Sequence, residues 1–442
     1  MHQSIRVCVV AACCLAVPAG PAAAQPAPDD AQPTPEDAQP TPESAPELPG
    51  NWFETRLVIE DLAEAGDFEA IAALTDHLLE LTRAEFGPDS AGVADAHLFL
   101  ARIHRRNEDY TLADEHIARA LEIYETTAGP LSPALIDPLL ELGDNYNAAG
   151  DYVSAISAYS EARTIGRRNF GLLNEDQLPI IDDMTEAAEQ LGNLEEAQAL
   201  QLEALTLIER NHGELSPEAL EARYKFAAWL REHHFYDEER RHYFQIQRII
   251  DQEYDADPLM TVRALRERAE SYRQQDSGDP LGLSGLRDAL EIVESMPDPP
   301  RLLMAQLLVD IGDWSVEFSR TGAIGDDYIR AWHLLGEVEN GADLRRQWFD
   351  QLTEVEVGTV SLRGLSTDPD APQGYVVVYF TVSESGRTRD IEITDSNPPG
   401  IKDSAVARVI REARFRPGIV DGELVTARRA YRFEFRYEAQ AP

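Results

Sequence analysis

Apolar residues follow two rhythms along this chain. From about Trp52 to Gln351 they recur every three or four positions, the spacing of helices with one buried face. From about Val355 they alternate instead, as in half-buried strands. The pattern predicts a multidomain chain: an all-α helical-repeat solenoid over 51–351, then a small α+β domain of order ββαβ over 355–437.

The helical part is organised around Leu142 to Ala162. Large residues (Leu142, Tyr146, Tyr152, Tyr159) alternate with small ones (Gly143, Ala155, Ala162) on two short helices that meet at Gly150-Asp151. Small residues let two helices approach, and large ones fill the gaps. The landmark at Tyr152 has counterparts at Phe68, Tyr110, Leu194 and Tyr236, each 42 residues from the next. A second landmark keeps that step: Gly87, Gly129, Gly171 and Gly213, with Asp255 in the fifth slot.

This unit resembles the tetratricopeptide repeat, lengthened from the usual ~34 residues as in kinesin light chains. Such a resemblance implies that neighbouring helix pairs stack, because no pair buries its apolar face alone. Five units are clear. Two degenerate ones follow, with turns expected near Ser277-Gly278 and Arg320-Thr321-Gly322 and helices over Leu286–Met296, Arg301–Phe318 and Tyr328–Val338. The resemblance also implies that the first helix of each pair lines the concave side. Unit two would present Arg102, Arg105 and Arg106 there, and unit six Arg263, Arg266 and Arg273. Asp182, Glu186 and Glu189 would lie between them. Two readings stand: a groove with basic ends that grips an acidic peptide, or a solvated helix face.

In the tail, Tyr375 to Val382 reads as a strand with Val376, Val378, Phe380 and Val382 on one face. Ser383 to Gly386 reads as a hairpin loop, and Asp390 to Thr394 as the return strand. Asp403 to Ala413 has helical spacing, and Val425 to Tyr437 forms the last strand, with Tyr431, Phe433, Phe435 and Tyr437 on one face. Phe380-Thr-Val382, Ser385-Gly386, Ala407, Phe415-Arg416-Pro417, Asp421-Gly422 and a closing Phe-x-Phe, in that order, resemble the C-terminal domain of TonB energy transducers. The resemblance implies capture of an extended segment of an outer-membrane receptor by strand addition in the periplasm. It also implies an open edge on the last strand. Arg428, Arg429, Arg432 and Arg436 either protect that edge or, with Tyr431, Phe433 and Glu434, help it recruit an extended acidic peptide. The family's Tyr-Pro pair near the domain start is absent here, and so is its intramembrane histidine.

A net charge of −41 argues against nucleic acid or an anionic membrane as the main partner. The acid lies upstream, since Val355 onward holds 12 Lys+Arg against 13 Asp+Glu. Arg6, the apolar run Val7 to Val17 and Ala22-Ala23-Ala24 read as a signal peptide cleaved before Gln25. All three cysteines lie inside it, which suits an oxidising compartment such as the bacterial periplasm. A lipoprotein at Cys13 and an uncleaved inner-membrane anchor over Val7 to Ala24 are the alternatives. Gln25 to Gly50, with eight prolines, reads as a solvated acidic spacer.

Metalloprotease, serine-hydrolase, phosphate-loop and dinucleotide motifs are missing. His233, His234 and His242 cluster in sequence, but adjacent histidines leave a helix on different sides. The expected function is therefore non-catalytic, with no metal, cofactor, small-molecule substrate or nucleic acid. It is that of a periplasmic adaptor: the repeats hold one envelope protein, and the TonB-like module another. The alternative is an anchored TonB-type transducer. Residues from Gly50 to Gln351 and from Gly358 to Tyr437 are expected to fold as separate units.

Overall fold

The computed structural model describes residues 49–275, 278–318, 325–357, 366 and 371–437. The expected signal peptide, nearly all of the spacer, Ser277, Arg320-Thr321-Gly322 and Gly358 lie outside the described residues. The chain is a helical-repeat solenoid followed by a small sheet-containing domain. Of the described residues, 49–211 form one compact unit and 212–437 the other.

The first unit holds four helix pairs. They are α1 (Trp52–Ala65) and α2 (Phe68–Phe86), α3 (Ala91–Arg106) and α4 (Tyr110–Ala128), α5 (Ile136–Ala148) and α6 (Tyr152–Phe170), and α7 (Gln177–Gln190) and α8 (Leu194–His212). The 42-residue step has a local cause at each end of the second helix. Asp67, Asp109 and Asp151 cap α2, α4 and α6 by accepting from the backbone N–H three residues on. Those helices stop at Gly87, Gly129 and Gly171, whose φ values of +94°, +93° and +97° only glycine adopts cheaply.

Gly143 packs as the sequence requires: a Cβ there would sit 2.3 Å from the Tyr159 ring. Tyr159 is 1% exposed, and its hydroxyl donates to Asp144 at 2.9 Å.

In the second unit three more pairs precede the sheet. They are α9 (Pro217–Glu232) and α10 (Tyr236–Glu253), α11 (Pro258–Gln274) and α12 (Pro280–Glu294), and α13 (Arg301–Phe318) and α14 (Asp326–Leu335). The last pair repeats the template in detail. A Cβ at Gly312 would sit 2.5 Å from the Tyr328 ring, and Tyr328 donates to Asp313 at 2.7 Å. Gly312-Asp313…Tyr328 thus matches Gly143-Asp144…Tyr159 in spacing and geometry.

A short helix α15 (Gly341–Arg345) leads to β1 (Glu354–Glu356). Next come β2 (Gln373–Val382), β3 (Thr388–Asn397), α16 (Asp403–Glu412), β4 (Arg414–Phe415), β5 (Gly418–Val420), β6 (Glu423–Val425) and β7 (Ala427–Arg436). The main sheet is antiparallel with order β3-β2-β7. Val376, Val378, Phe380 and Val382 form its inner face against Val406 and Ile410 of α16. Two small ladders, β1 with β4 and β5 with β6, were not legible in the sequence.

The expected break at residues 351–355 is crossed by a continuous core. Phe349, Ile419 and partly buried Val355 and Leu424 belong to the same apolar cluster as α11 to α14.

Candidate functional site

β7 is bonded to β2 along its whole length on one side, from Ala427↔Val382 to Arg436↔Gln373 without a register shift. No strand pairs with its other side among the described residues. Which backbone groups face that open side follows from one bond. Tyr437 N–H donates to the Pro372 carbonyl at 3.1 Å, so Tyr437 turns its backbone toward β2. Antiparallel strands alternate, so Phe435, Phe433, Tyr431 and Arg429 do the same. Arg428, Ala430, Arg432, Glu434 and Arg436 therefore turn N–H and C=O outward. One outward group is already engaged, since Ser366 N–H donates to the Arg436 carbonyl at 2.8 Å.

Side chains of the outward-facing residues lie on the exposed sheet face, and Arg428, Ala430, Arg432 and Glu434 are all exposed. Arg428 pairs with Glu392 of β3 at 3.2 Å and lies over the Tyr379 ring. Arg432 pairs with Glu434 at 2.7 Å and stacks 4.1 Å above the Tyr375 ring centroid. Arg436 donates to the Ala371 carbonyl at 3.1 Å. Both arginines over tyrosines lean back across the sheet, so the edge itself presents backbone. Tyr431, Phe433 and half-buried Arg429 take the opposite face, where the two aromatics pack on the module's core. Burial, with Glu354 nearby, pushes the Tyr431 hydroxyl up to about 12. Sequence reasoning missed Tyr375, Tyr379 and Glu392 as partners of this face, because cross-strand neighbours depend on register.

The helix arginines form a different pattern. Arg102 and Arg105 of α3 both reach Glu141 of α5, at 2.5 and 2.8 Å, and Arg105 also meets Asp144 at 3.3 Å. Arg266 and Arg273 of α11 reach Asp310 and Glu317 of α13, at 2.5 and 2.6 Å. Arg263 returns to Glu221 of α9 and lies over Tyr224. Each arginine ties first helices of neighbouring pairs together; Arg106 is exposed. Between them, Asp182 meets Gln201 at 3.5 Å and Glu186 is exposed. Beside these, burial and the carboxylates of Asp144, Glu186 and Asp182 raise Asp183 to about 6.

Among the described residues, no three His, Cys, Asp or Glu side chains are arranged to hold a metal, and no helix is long and apolar enough to cross a membrane. His233 stacks on Trp229, His234 bonds Tyr236, and His242 packs edge-on against Phe226. A tighter histidine group lies elsewhere. His97 and His116 bring their Nδ1 atoms to 2.8 Å, and His104 stacks on His116. Burial first, then the neighbouring His116, Arg83 and Arg119, lowers His97 to about 4. Burial and His104 do the same to His116.

The tetratricopeptide repeat family matches residues 55–126 and 92–168, and the family described as Gram-negative bacterial TonB protein C-terminal matches 370–437. No curated protein matches the chain. Among solved structures, the kinesin light chain TPR-like repeats of Podosopora anserina are similar, at 15% identity and a TM-score of 0.36 over 46% of this chain and 96% of that one. BtubC (BKLC) from P. vanneervenii is 13% identical over 72% of this chain and 99% of that one, with a TM-score of 0.28. The C-terminal part of a TPR repeat-containing protein from Cytophaga hutchinsonii is 12% identical over 65% and 98%, with a TM-score of 0.38.

Proposed function

We propose that this chain is a non-catalytic protein-interaction adaptor whose TonB-like module captures an extended segment of a partner as a fourth strand on β7. The observation that carries this reading is the outward row of backbone groups from Arg428 to Glu434, on a strand whose other side is fully bonded. A long strand edge left in that condition is a template for another chain. The tetratricopeptide repeats supply a second surface, for a second protein. We place the adaptor in the bacterial periplasm, with envelope proteins as partners and an outer-membrane TonB-dependent receptor as the first to try; this rests on the N-terminal sequence and the family match at 370–437.

The test separates backbone from charge. Arg432 and Glu434 direct their N–H groups away from β2, so Arg432→Pro or Glu434→Pro removes an edge donor without breaking the β2–β7 ladder. Arg432→Gln removes charge alone. Full-length variants are titrated with receptor plug segments, and amide exchange at 430, 432 and 434 is followed. The proline variants should lose binding, Arg432→Gln should weaken it, and bound segment should slow exchange at those amides in the parent. A folded proline variant that binds like the parent refutes capture at this edge.

A further inference from the structure

The last helix pair is unusual for the end of a repeat array. Terminal repeats normally carry a polar outer face, because nothing stacks beyond them. α13 instead buries Ala305, Leu307, Leu308, Val309, Ile311, Trp314 and Val316. These positions do not form one stripe; they surround the helix, which marks a helix covered on several sides. α12 and α14 supply part of the cover.

The rest comes from the module. Phe349, on the segment entering it, is 1% exposed and meets Tyr328 edge-on at 6.1 Å. Ile419 of β5 and Leu424 of β6 belong to the core of α11 to α14. Gly386 sits so close to Val316 that a Cβ would come within 2.8 Å of it.

A buried polar contact keys the two parts. Arg416, from the Phe-Arg-Pro stretch between β4 and β5, forks onto Asp313 of α13 at 3.0 and 2.7 Å. The two side chains are 11% and 7% exposed. The same guanidinium donates to the Trp348 carbonyl at 3.1 Å. Comparison with the template pair shows what has changed. There Asp144 accepts from Tyr159 and meets Arg105, an arginine of the array itself. In the last pair the corresponding array arginine, Arg273, is bonded to Glu317. Asp313 still feels the Arg273 charge, but its direct ion pair comes from the module, and without Arg416 a buried carboxylate would lack its bidentate partner.

We propose that the C-terminal module has a second function as the closing cap of the repeat array, α13 and α14 being stably folded only while the module is docked on them through Arg416. This does not depend on what β7 binds. It makes the strand edge and the last repeat one cooperative body.

Hydrogen exchange on the full chain tests it. In Arg416→Met, amides of α13 and α14 should exchange on the order of tenfold or more faster, together with those of β4 to β6. Amides of α3 to α6 should keep their parent rates. The double variant Arg416→Met/Asp313→Asn removes both charges while leaving the buried Tyr328 hydroxyl an acceptor, and should recover protection in α13 and α14, since no unpaired buried carboxylate remains. Three results would each overturn the proposal. In the first, exchange quickens in β4 to β6 while α13 and α14 stay at the parent rate. In the second, the single variant matches the parent throughout. In the third, the double variant is no better protected than the single one.

Discussion

Gly143→Ala sets packing against helix propensity with opposite signs. Propensity alone favours alanine inside a helix by ~1 kcal/mol. At this position the new Cβ would stand 2.3, 2.5 and 2.7 Å from three atoms of the Tyr159 ring. Ordinary contact needs more than an ångström of additional room, and Tyr159 is 1% exposed, so the ring has little space to yield. Overpacking of this kind costs ~1–3 kcal/mol. Moving the ring also stretches the 2.9 Å bond from its hydroxyl to Asp144, worth ~1 kcal/mol. The sum is a net loss of ~1–3 kcal/mol, a fall of several degrees at ~2–4 °C per kcal/mol. Gly166→Ala is the control. It lies in α6, and its Cβ would meet Ile136 at 3.8 Å, an ordinary contact, so the substitution should stabilise by up to ~1 kcal/mol. Urea and thermal titrations followed by far-ultraviolet circular dichroism compare the two. A Gly143→Ala chain as stable as the parent would refute the packing argument, whatever Gly166→Ala does.

Acid should destabilise α3 and α4 before the rest of the first unit. His97 and His116 are lowered to about 4 from an unfolded value near 6.5, so the unfolded chain binds more protons across that window. Their contribution is complete above pH 6.5 and lost as pH falls toward 4; a His97→Gln/His116→Gln double variant should flatten that limb in exchange-measured stability. Asp183 runs the other way: raised to about 6, it costs stability as pH rises from about 4 through 6, and Asp183→Asn should remove that slope. Intact-mass analysis of the chain purified from its host should give Gln25 as the first residue; an intact Met1 in the inner membrane would favour the anchored transducer instead.

The repeat step was legible because its causes are local. An aspartate that caps a helix and a glycine with positive φ leave the same mark wherever they stand, so Asp67, Asp109, Asp151 and Gly87, Gly129, Gly171 announce themselves in one dimension. The strand alternation of β2 and β7 was legible for the same reason. The seventh pair read as degenerate because its turn signature had faded, although Gly312-Asp313…Tyr328 keeps the template's contacts. Burial pattern alone does not reveal a shared tertiary contact without the register that links the two residues. Neither reading of the helix arginines, as groove charges or as a solvated face, contains their ion pairs, for a similar reason. Their partners Glu141, Asp310 and Glu317 lie 36 to 44 residues away, beyond any spacing rule for one helix.

The same comparison explains why the module's motif could be read from sequence while its docking could not. Phe415-Arg416-Pro417 marks the family match at 370–437, and nothing in its spacing points to a helix 103 residues earlier. The structural consequence comes from a displaced partner. In the template pair the array answers its own aspartate, whereas in the last pair Arg273 is drawn to Glu317 and to the Val355 carbonyl at the module's start. Asp313 still feels the Arg273 charge and accepts from Tyr328, but its two-point ion pair is made by Arg416. A salt bridge exposed at a repeat surface is worth ~0–1 kcal/mol, but one buried as deeply as this costs ~3–5 kcal/mol when a single partner is removed. Arg231 and Glu239 make a comparably buried pair inside the fifth repeat pair, whereas Arg102–Glu141 and Arg266–Asp310, between pairs, are more exposed. The buried ion pair of the fifth repeat pair thus holds two helices of one repeat, while that of Arg416 and Asp313 joins the last repeat to the module, so its loss would loosen two parts of the chain together.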